Sequence, residues 1–449
     1  MFGAAALAAI VGATGCGGGA RAAEPPSLHF RSRPDLRPPR FEVLVRARRA
    51  APGYLFVAPK KHVAQSGPLI VDDRGGPVWF RPVEHRPVGD FRVQRYLGRP
   101  VLTWWESGRY RIVDGSYHDV AVVRAGNGLT GDMHEFLLTP RGTALLTIFH
   151  RVDRGGGAVV EGVVQEVDIA SGRVLLEWHS LDHVPLAESY AQPRADGGSY
   201  DYFHVNSIAV DRDGDLLVSA RNTHTVYKLE RRSGRILWRL GGKRSDFAFA
   251  PGARFAWQHD ARPGPDGTLT LFDNEAAPRT GPESRGLVLH VDARDRRVTL
   301  VRSLVHRPPL VAVDQGNLQL LPDGHYLVGW GHRPYVTEYD ARRRVLLDLR
   351  FGRGADSYRA YRFRWTGRPT DPPAAAVRHD SRRTIVYASW NGATEVASWQ
   401  VLAGARVVGS APRTGFETPI TVRGEQRAVR VRALDEKGRV LATSPEAGG

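Results

Sequence analysis

Between residues 53 and 349 one pattern recurs, and it restricts the fold more than any other property of the chain. Each copy is a short apolar run followed by alternating runs about a polar turn, most often Asp-x-x-x-Gly. The copies are YLFVA (54–58) with VDDRGGPVWF (71–80), and VLTWW (101–105) with YRIVD (110–114) and YHDVAVV (117–123). TALLTIF (143–149) then pairs with VQEVDIASGRVLLEW (164–178), and LLVSAR (216–221) with VYKLERRSGRILWRL (226–240). The last two are LTLFDN (269–274) with GLVLHVDARDRRVTLV (286–301), and YLVGW (326–330) with VTEYDARRRVLLDL (336–349). A lone four-stranded sheet cannot bury both faces. Stacking such sheets around an axis does so and leaves only short edges. The expectation is an all-β chain whose residues 41–367 form a six-bladed β-propeller, in preference to a solenoid or a double sandwich.

The pattern breaks after Leu349. FGRGADSYRAYRFRWTGRPTDPPAAAVRH (351–379) has few strand-like runs and reads as a long loop packed on the propeller, with a linker over 368–383. Short alternating runs resume over 384–445 and fit a small β-sandwich of fibronectin type III or immunoglobulin class, with Trp390 and Trp399 as core aromatics.

The N-terminus carries targeting information. Residues 1–11 are an apolar, alanine-rich run too short to span a bilayer, followed by Ala13-Thr14-Gly15-Cys16 and three glycines. Cys16 is the only cysteine of the chain and has no internal disulfide partner. The segment resembles a bacterial lipoprotein signal (1–16) ending at an acylated Cys16, with residues 17–40 as a tether; an exported, lipid-anchored protein on a membrane surface is expected. A plain cleaved signal and a secreted soluble protein is the alternative. The formal charge of +16 is almost wholly arginine and evenly spread. It suits anionic small molecules or a membrane surface, and no reader motif points to nucleic acid.

The chemistry-bearing residues recur at one phase of the repeat. His134 (GDMHEFLLTP), His204 (YFHVNSIAV) and His259 (WQHDARP) each precede the apolar strand of their unit, and Arg221 follows that of the fourth. Matched phases place side chains at one height around a propeller axis, so the three imidazoles and the arginine should share one end of the channel. Asn206, two residues past His204, points the same way on a strand. Gln258, Asp260, Asn274, Asn317 and His332 lie at comparable phases, and Trp104, Trp257 and Tyr335 are candidates to stack on an aromatic ligand. No phosphate loop, G-x-S-x-G elbow or H-E-x-x-H motif is present. Three histidines suit either a transition metal or an anion held by imidazoles. An arginine fork beside them fits a tetrahedral oxyanion and is a poor neighbour for a cation, so no metal and no cofactor is expected there.

The chain resembles the bacterial arylsulfotransferases, secreted enzymes that move a sulfuryl group between phenols without a nucleotide donor. The resemblance runs from Phe30 to Gly367 and is strongest in SRPDLRPP, LTWWE, DMHEFLLTP, HVNSIAVDRDGDLLVSARNTHTVYKLERRSGRILWRLGG, FAWQHDA and LQLLPDGHYLVGWG. It implies a six-bladed propeller with a channel-mouth site, His259 of WQHD as nucleophile, and His134 and His204 in support. Arg221 of SARN then binds sulfate and Asn206 of HVN assists. It also implies an aryl sulfate donor, a phenolic acceptor and a sulfohistidine intermediate with ping-pong kinetics. The better characterised branch differs, with its sandwich ahead of the propeller and a disulfide that Cys16 alone cannot form. The rival readings are a metal-dependent propeller hydrolase or lyase, and a non-catalytic cell-surface binding propeller.

Overall fold

The computed structural model describes residues 26–46, 49–83, 87–155, 157–193, 198–380 and 382–448. Cys16 and the signal segment lie outside the described residues. The described chain is all-β, its only helical turns being two 3-10 segments, Ser180–Asp182 and Leu186–Glu188. No helix among the described residues is long and apolar enough to cross a membrane.

The repeat becomes six sheets, antiparallel but for a short parallel edge strand in the third and in the fifth, met in chain order. From the second sheet to the sixth the inner strands are Val88–Tyr96, Phe136–Leu138, Val205–Val210, His259–Pro263 and Asn317–Leu320, and the chain then runs outward through three more strands. The first sheet departs from this rule. Its inner strand, Ala360–Phe363, pairs antiparallel with Tyr54–Val57, about 300 residues earlier. The outer edge of the sixth sheet is in turn supplied by Phe41–Val45. Each end of the repeat region thus completes a sheet begun by the other.

Successive sheets share apolar cores, which is why each strand carries a hydrophobic alternation on both faces. Trp79, Phe91 and Trp104 fill the space between the first and second sheets, and Tyr110, Phe136 and Ile148 that between the second and third. Phe203 and Tyr227 pack between the third and fourth, Leu240 and Leu271 between the fourth and fifth, and Phe272 and Trp330 between the fifth and sixth. Leu55, Val71, Leu327 and Leu349 then join the sixth sheet to the first, so the sequence of packed sheets returns to its start. The arrangement is propeller-like.

The inner strands carry charge as well. Arg92 and Arg359 are buried, and Arg262 part-buried, with Asp90, Glu135 and Asp260 on or beside these strands. Arg359 donates from Nη1 to Asp90 at 2.8 Å, and its Nε lies 3.3 Å from Asp260. Arg92 and Arg262 both bond to Glu135. Burial pushes the Glu135 carboxyl up, but Arg262, Arg92 and Arg359 outweigh it and hold its pKa at about 2.

Three expectations about this part are corrected. Residues 351–379 are not simply a long loop, because Ala360–Phe363 is the inner strand of the first sheet. Its tyrosine faces Arg92 of the charged axis and its Arg362 is buried against Glu338 and Asp73, so it lacks the apolar alternation of an ordinary strand. The stretch 368–383 contains the strand Ala374–Asp380, so it is not wholly linker. From Pro26 onward the tether region is packed: Ser32 Oγ lies 2.7 Å from Ser389 Oγ, and Phe30 sits 4.4 Å from the Phe416 ring.

The C-terminal part has two sheets. One contains Ala374–Asp380, Arg383–Ser389 and Glu417–Arg423; the other is built on Ser398–Ala403 and Ala428–Leu434. They share a core around Trp399, Val386, Val401, Ile420 and Val431, with Trp390 packed at its margin. Asn391 docks this part on the first sheet by accepting from Phe80 N at 3.0 Å and donating to Phe80 O at 2.9 Å.

Candidate active site

His134, His204 and His259 do come together. The ring centroids of His134 and His204 are 5.1 Å apart, and those of His204 and His259 6.4 Å. They arrive at one level because each sits at the start of an inner strand: His134 two residues before Phe136–Leu138, His204 just before Val205–Val210, and His259 at the head of His259–Pro263. The pairing slips one step later in two of these strands, between Val205 and Ser207 and between His259 and Arg262. Such bulges turn a side chain out of the sheet's plane. The backbone is left-handed at His204 (φ 55°), Trp257 (φ 58°) and Gln315 (φ 63°), so strain concentrates around the same point.

Each imidazole is oriented through Nδ1. His134 donates to Asp132, and His204 donates to Asp201 at 2.5 Å. His259 differs, because its Nδ1–H donates to Asn274 Oδ1 at 2.8 Å. The amide orientation is fixed independently, since Asn274 Nδ2 donates to Ala312 O at 2.8 Å and to Gln315 O at 3.0 Å. The tautomer of His259 follows: Nδ1 carries the proton and Nε2 the lone pair, which meets the Gln315 N–H at 3.3 Å. Burial, then the charge of Arg221, then His204, push the His259 pKa well below the ordinary imidazole value. Burial also lowers that of His204, against the pull of Asp201. His259 is therefore neutral across the physiological range.

Arg221 follows the strand Leu216–Ala220, and its N–H donates to His204 O at 2.9 Å. Nη1 donates to Asn222 Oδ1 at 2.8 Å and Nη2 to Val313 O at 3.1 Å, while Nε is buried without a partner. No carboxylate ion pair neutralises this guanidinium among the described residues, which is unusual for a buried arginine. It lies 4.7 Å over the Trp257 ring, and Trp257 meets His224 edge-on at 4.3 Å. Trp257 Nε1 and His224 Nε2 are likewise buried without partners. Three unsatisfied nitrogens about one unpaired cation make surroundings suited to an anion. Phe149 packs on both His134 (4.8 Å) and His204 (5.0 Å), and Tyr358 meets His134 edge-on at 5.3 Å.

The amide and aromatic candidates fare differently. Asn206 donates to Gln258 O at 2.7 Å, so its side chain holds the His259 segment and does not offer that donor to a ligand. Asn317 uses both ends of its amide on Ala360 (2.8 and 2.9 Å), pinning the sixth sheet to the inner strand of the first. Trp104 is a core residue, 6.2 Å from Trp79 and 6.0 Å from Phe91. Tyr335 packs on His306 at 4.6 Å. Only Trp257 of the three aromatics reaches the histidines' surroundings, and there it carries Arg221. Gln258 spends its amide on Ser219 and Ala220, Asp260 belongs to the charged axis, and His332 lies 3.7 Å from Asp314. Asp132, Asp201, Gln315 and Tyr358 were missed by the sequence reading. Acidic residues two or three positions before a histidine were the available signal for the first two. Nothing local marks the others.

A family model, Arylsulfotransferase (ASST), matches residues 92–352, which is 261 of the 449 residues (352 − 92 + 1). The chain belongs to the arylsulfotransferase family. The matched span contains His134, His204, Arg221 and His259. A search of curated proteins by sequence found no match. Among solved structures, this arylsulfotransferase is similar to a protein of unknown function from Bacteroides caccae (14% identity, 69% of this chain and 98% of that one, TM-score 0.43). It is also similar to TolB from Acinetobacter baumannii (11% identity, 68% of this chain and 67% of that one, TM-score 0.39). Virginiamycin B lyase from Staphylococcus aureus is a third (10% identity, 77% of this chain and 95% of that one, TM-score 0.37). These likenesses are distant. Family membership makes the chain an arylsulfotransferase in the general sense, with aryl sulfates and phenols as its substrate class.

Proposed function

We propose that this arylsulfotransferase moves a sulfuryl group from an aryl sulfate to a phenol through a sulfohistidine on His259, with no nucleotide donor and no metal at the reacting centre. One observation carries the reading: His259 is buried and neutral, with its proton tied to Asn274 and its Nε2 lone pair met by the Gln315 N–H at 3.3 Å, in the field of an arginine that has no carboxylate partner.

Nε2 attacks sulfur in line, the N–S bond forms, and the S–O bond to the ring breaks. The phenolate leaves with the electron pair of that bond and takes its proton from solvent, because neutral His204 has its one N–H committed to Asp201. The adduct keeps the Nδ1–H bond to Asn274. In the second half, the phenol oxygen attacks sulfur and releases its proton to solvent, and the N–S bond breaks with its electron pair returning to Nε2, so His259 regains its neutral form. Turnover is ping-pong. Sulfuryl transfer shares with phosphoryl transfer a loose transition state, so alignment and donors to the equatorial oxygens do most of the catalysis. Arg221 with its unpartnered Nε supplies the fixed donor.

The six packed sheets fit a closed six-bladed propeller, and the two C-terminal sheets a small sandwich of fibronectin III or immunoglobulin class. Acylated Cys16 would hold the enzyme at a membrane surface; Cys16→Ser should then shift it to the soluble fraction, and unchanged partitioning contradicts the anchor.

The test of the mechanism is a burst assay with a chromogenic aryl sulfate, followed by trapping and peptide mapping. Wild type should release one equivalent of phenol rapidly and carry an acid-labile sulfuryl label on His259. His259→Ala should lose burst and label together, while His204→Ala, His134→Ala and Arg221→Ala keep a slow burst. Label on any other residue sinks the assignment, and turnover without label points to direct transfer.

A further inference from the structure

Beyond the reacting centre, a second cluster of histidines lies in the third sheet, which the sequence reading did not single out. His150 and Glu161 sit directly opposite each other on the paired strands Thr143–Asp153 and Ala158–Asp168. His179 ends the next strand, opposite Val163, two residues from Glu161. Period-two alternation therefore puts all three side chains on one face. Phe149, one residue before His150, points to the other face, where it packs on His134 and His204.

The ligand atoms of His150, Glu161 and His179 lie within 4.8 Å of one another. His150 Nδ1 is 2.9 Å and His179 Nδ1 2.8 Å from the same oxygen, Glu161 Oε1. Donors about 2.1 Å from a single ion stand about 3–3.4 Å apart, so an ion enters with an opening of a few tenths of an ångström. His179 is oriented from behind. Its Nε2 lies 3.1 Å from Glu177 Oε1, and the other oxygen of Glu177 accepts from Asn127 (2.8 Å) and Gln165 (2.6 Å). A carboxylate behind the far nitrogen of an imidazole is the usual outer support of a metal-bound histidine. An ion between His179 Nδ1 and Glu161 would take the Nδ1 lone pair and leave the ring proton on Nε2, where Glu177 accepts it.

We propose that His150, Glu161 and His179 form a divalent transition-metal site of the zinc class, with two imidazoles and one carboxylate and an open coordination position. Imidazole with carboxylate suits zinc and its first-row neighbours, whereas all-oxygen sets suit calcium and magnesium. The site ties together the ends of three strands whose other face carries Phe149 and the paired imidazoles. It is separate from the reacting centre and does not rest on the proposed mechanism.

The test is cobalt(II) titration of the metal-stripped full chain, read by visible d–d absorption. Wild type should take up one equivalent and lose the absorption when zinc is added. His150→Ala and His179→Ala should each abolish the band, with far-UV circular dichroism confirming the fold; His150 is part-exposed, so its loss should be tolerated. Glu177→Gln should weaken binding roughly tenfold to a hundredfold while keeping the band. The combined His134→Ala, His204→Ala, His259→Ala variant should bind cobalt as wild type does. Absence of a saturable band in wild type overturns the proposal, as does a band that survives loss of both His150 and His179. A band lost only in the combined variant places the ion on the three mouth histidines, which overturns both this site and the metal-free mechanism.

Discussion

Two layers of the molecule, one residue apart in sequence, treat charge in opposite ways. At the mouth, His134, His204 and His259 surround an arginine that bonds only to an amide and a carbonyl. One step inward, Glu135 and Asp260, the next residues after His134 and His259, meet Arg92, Arg262 and Arg359 in mutual ion pairs. In the inner layer the charges are nearly all spent on one another, and it can only hold the ring together. The mouth is left with unspent positive charge and three partnerless buried nitrogens. Compensated charge builds the fold; uncompensated charge marks the place where a ligand completes it.

The comparison can be broken most forcefully from below. Arg359→Met should strand Asp90, Glu135 and Asp260 with one cation too few and cost about 3–5 kcal/mol of stability, because a buried pair is broken from one side. Denaturant unfolding measures it; a loss under 1 kcal/mol would mean that water or the other two arginines carry the network.

Arg221→Ala should do the reverse. Turnover of an aryl sulfate should fall roughly a hundredfold or more, the cost of one transition-state donor at about 3 kcal/mol, with little change in unfolding midpoint. Equal losses in stability and rate would erase the distinction between the layers.

Acid should find the mouth before the axis. His259, His204 and His224 have depressed pKa values, that of His224 at about 3 through burial, then Arg221 and Lys243. The unfolded chain takes up protons near pH 6.5 while these sites stay neutral. Their contribution is thus complete above about pH 6.5 and is lost as pH falls toward the native values, by up to about 1.4 kcal/mol per pH unit for each histidine. Melting temperature should decline from pH 6.5 downward, while the acid limb of the burst rate lies well below 6.5. An acid limb centred at 6.5 would show that His259 titrates normally and is not the buried base described.

The smallest effect separates a pin from a ligand. Asn317→Ala should cost about 1–3 kcal/mol, since it leaves the Ala360 N–H and C=O without partners, and should leave KM for the aryl sulfate unchanged. A raised KM with unaltered stability would restore Asn317 to the substrate.

Much of this was legible in the chain. The second to fourth strands of the sheets read clearly because both faces pack on neighbours and keep an apolar alternation. The inner strands read poorly, since VGDFRVQRY and HDARP carry ions of the axis, AYRF carries a buried arginine paired elsewhere, and all three imitate loops. The histidines were found by phase. Their partners were found only in part: Asn274, just past the end of the neighbouring strand, shared the phase, whereas Gln315 arrives from the segment ahead of a different sheet. Asn317 and Asn206 looked like ligands because a side chain that ties two strands shares the phase of one that faces the channel. Pairing through space decides between them, and a linear pattern does not record it.

The borrowed inner strand of the first sheet has a consequence in time. Tyr358, Arg359 and the strand Ala360–Phe363 are the last parts of the ring to be synthesised. A nascent chain that has reached residue 350 already holds all three mouth histidines and Arg221, yet lacks the residues that close the circle and the arginine that binds three carboxylates in its axis. Activity should therefore be withheld until the final piece of the ring has emerged. The order of translation would then act as a safety catch, and a fragment cut short before Tyr358 should be inert although His134, His204, His259 and Arg221 are all present.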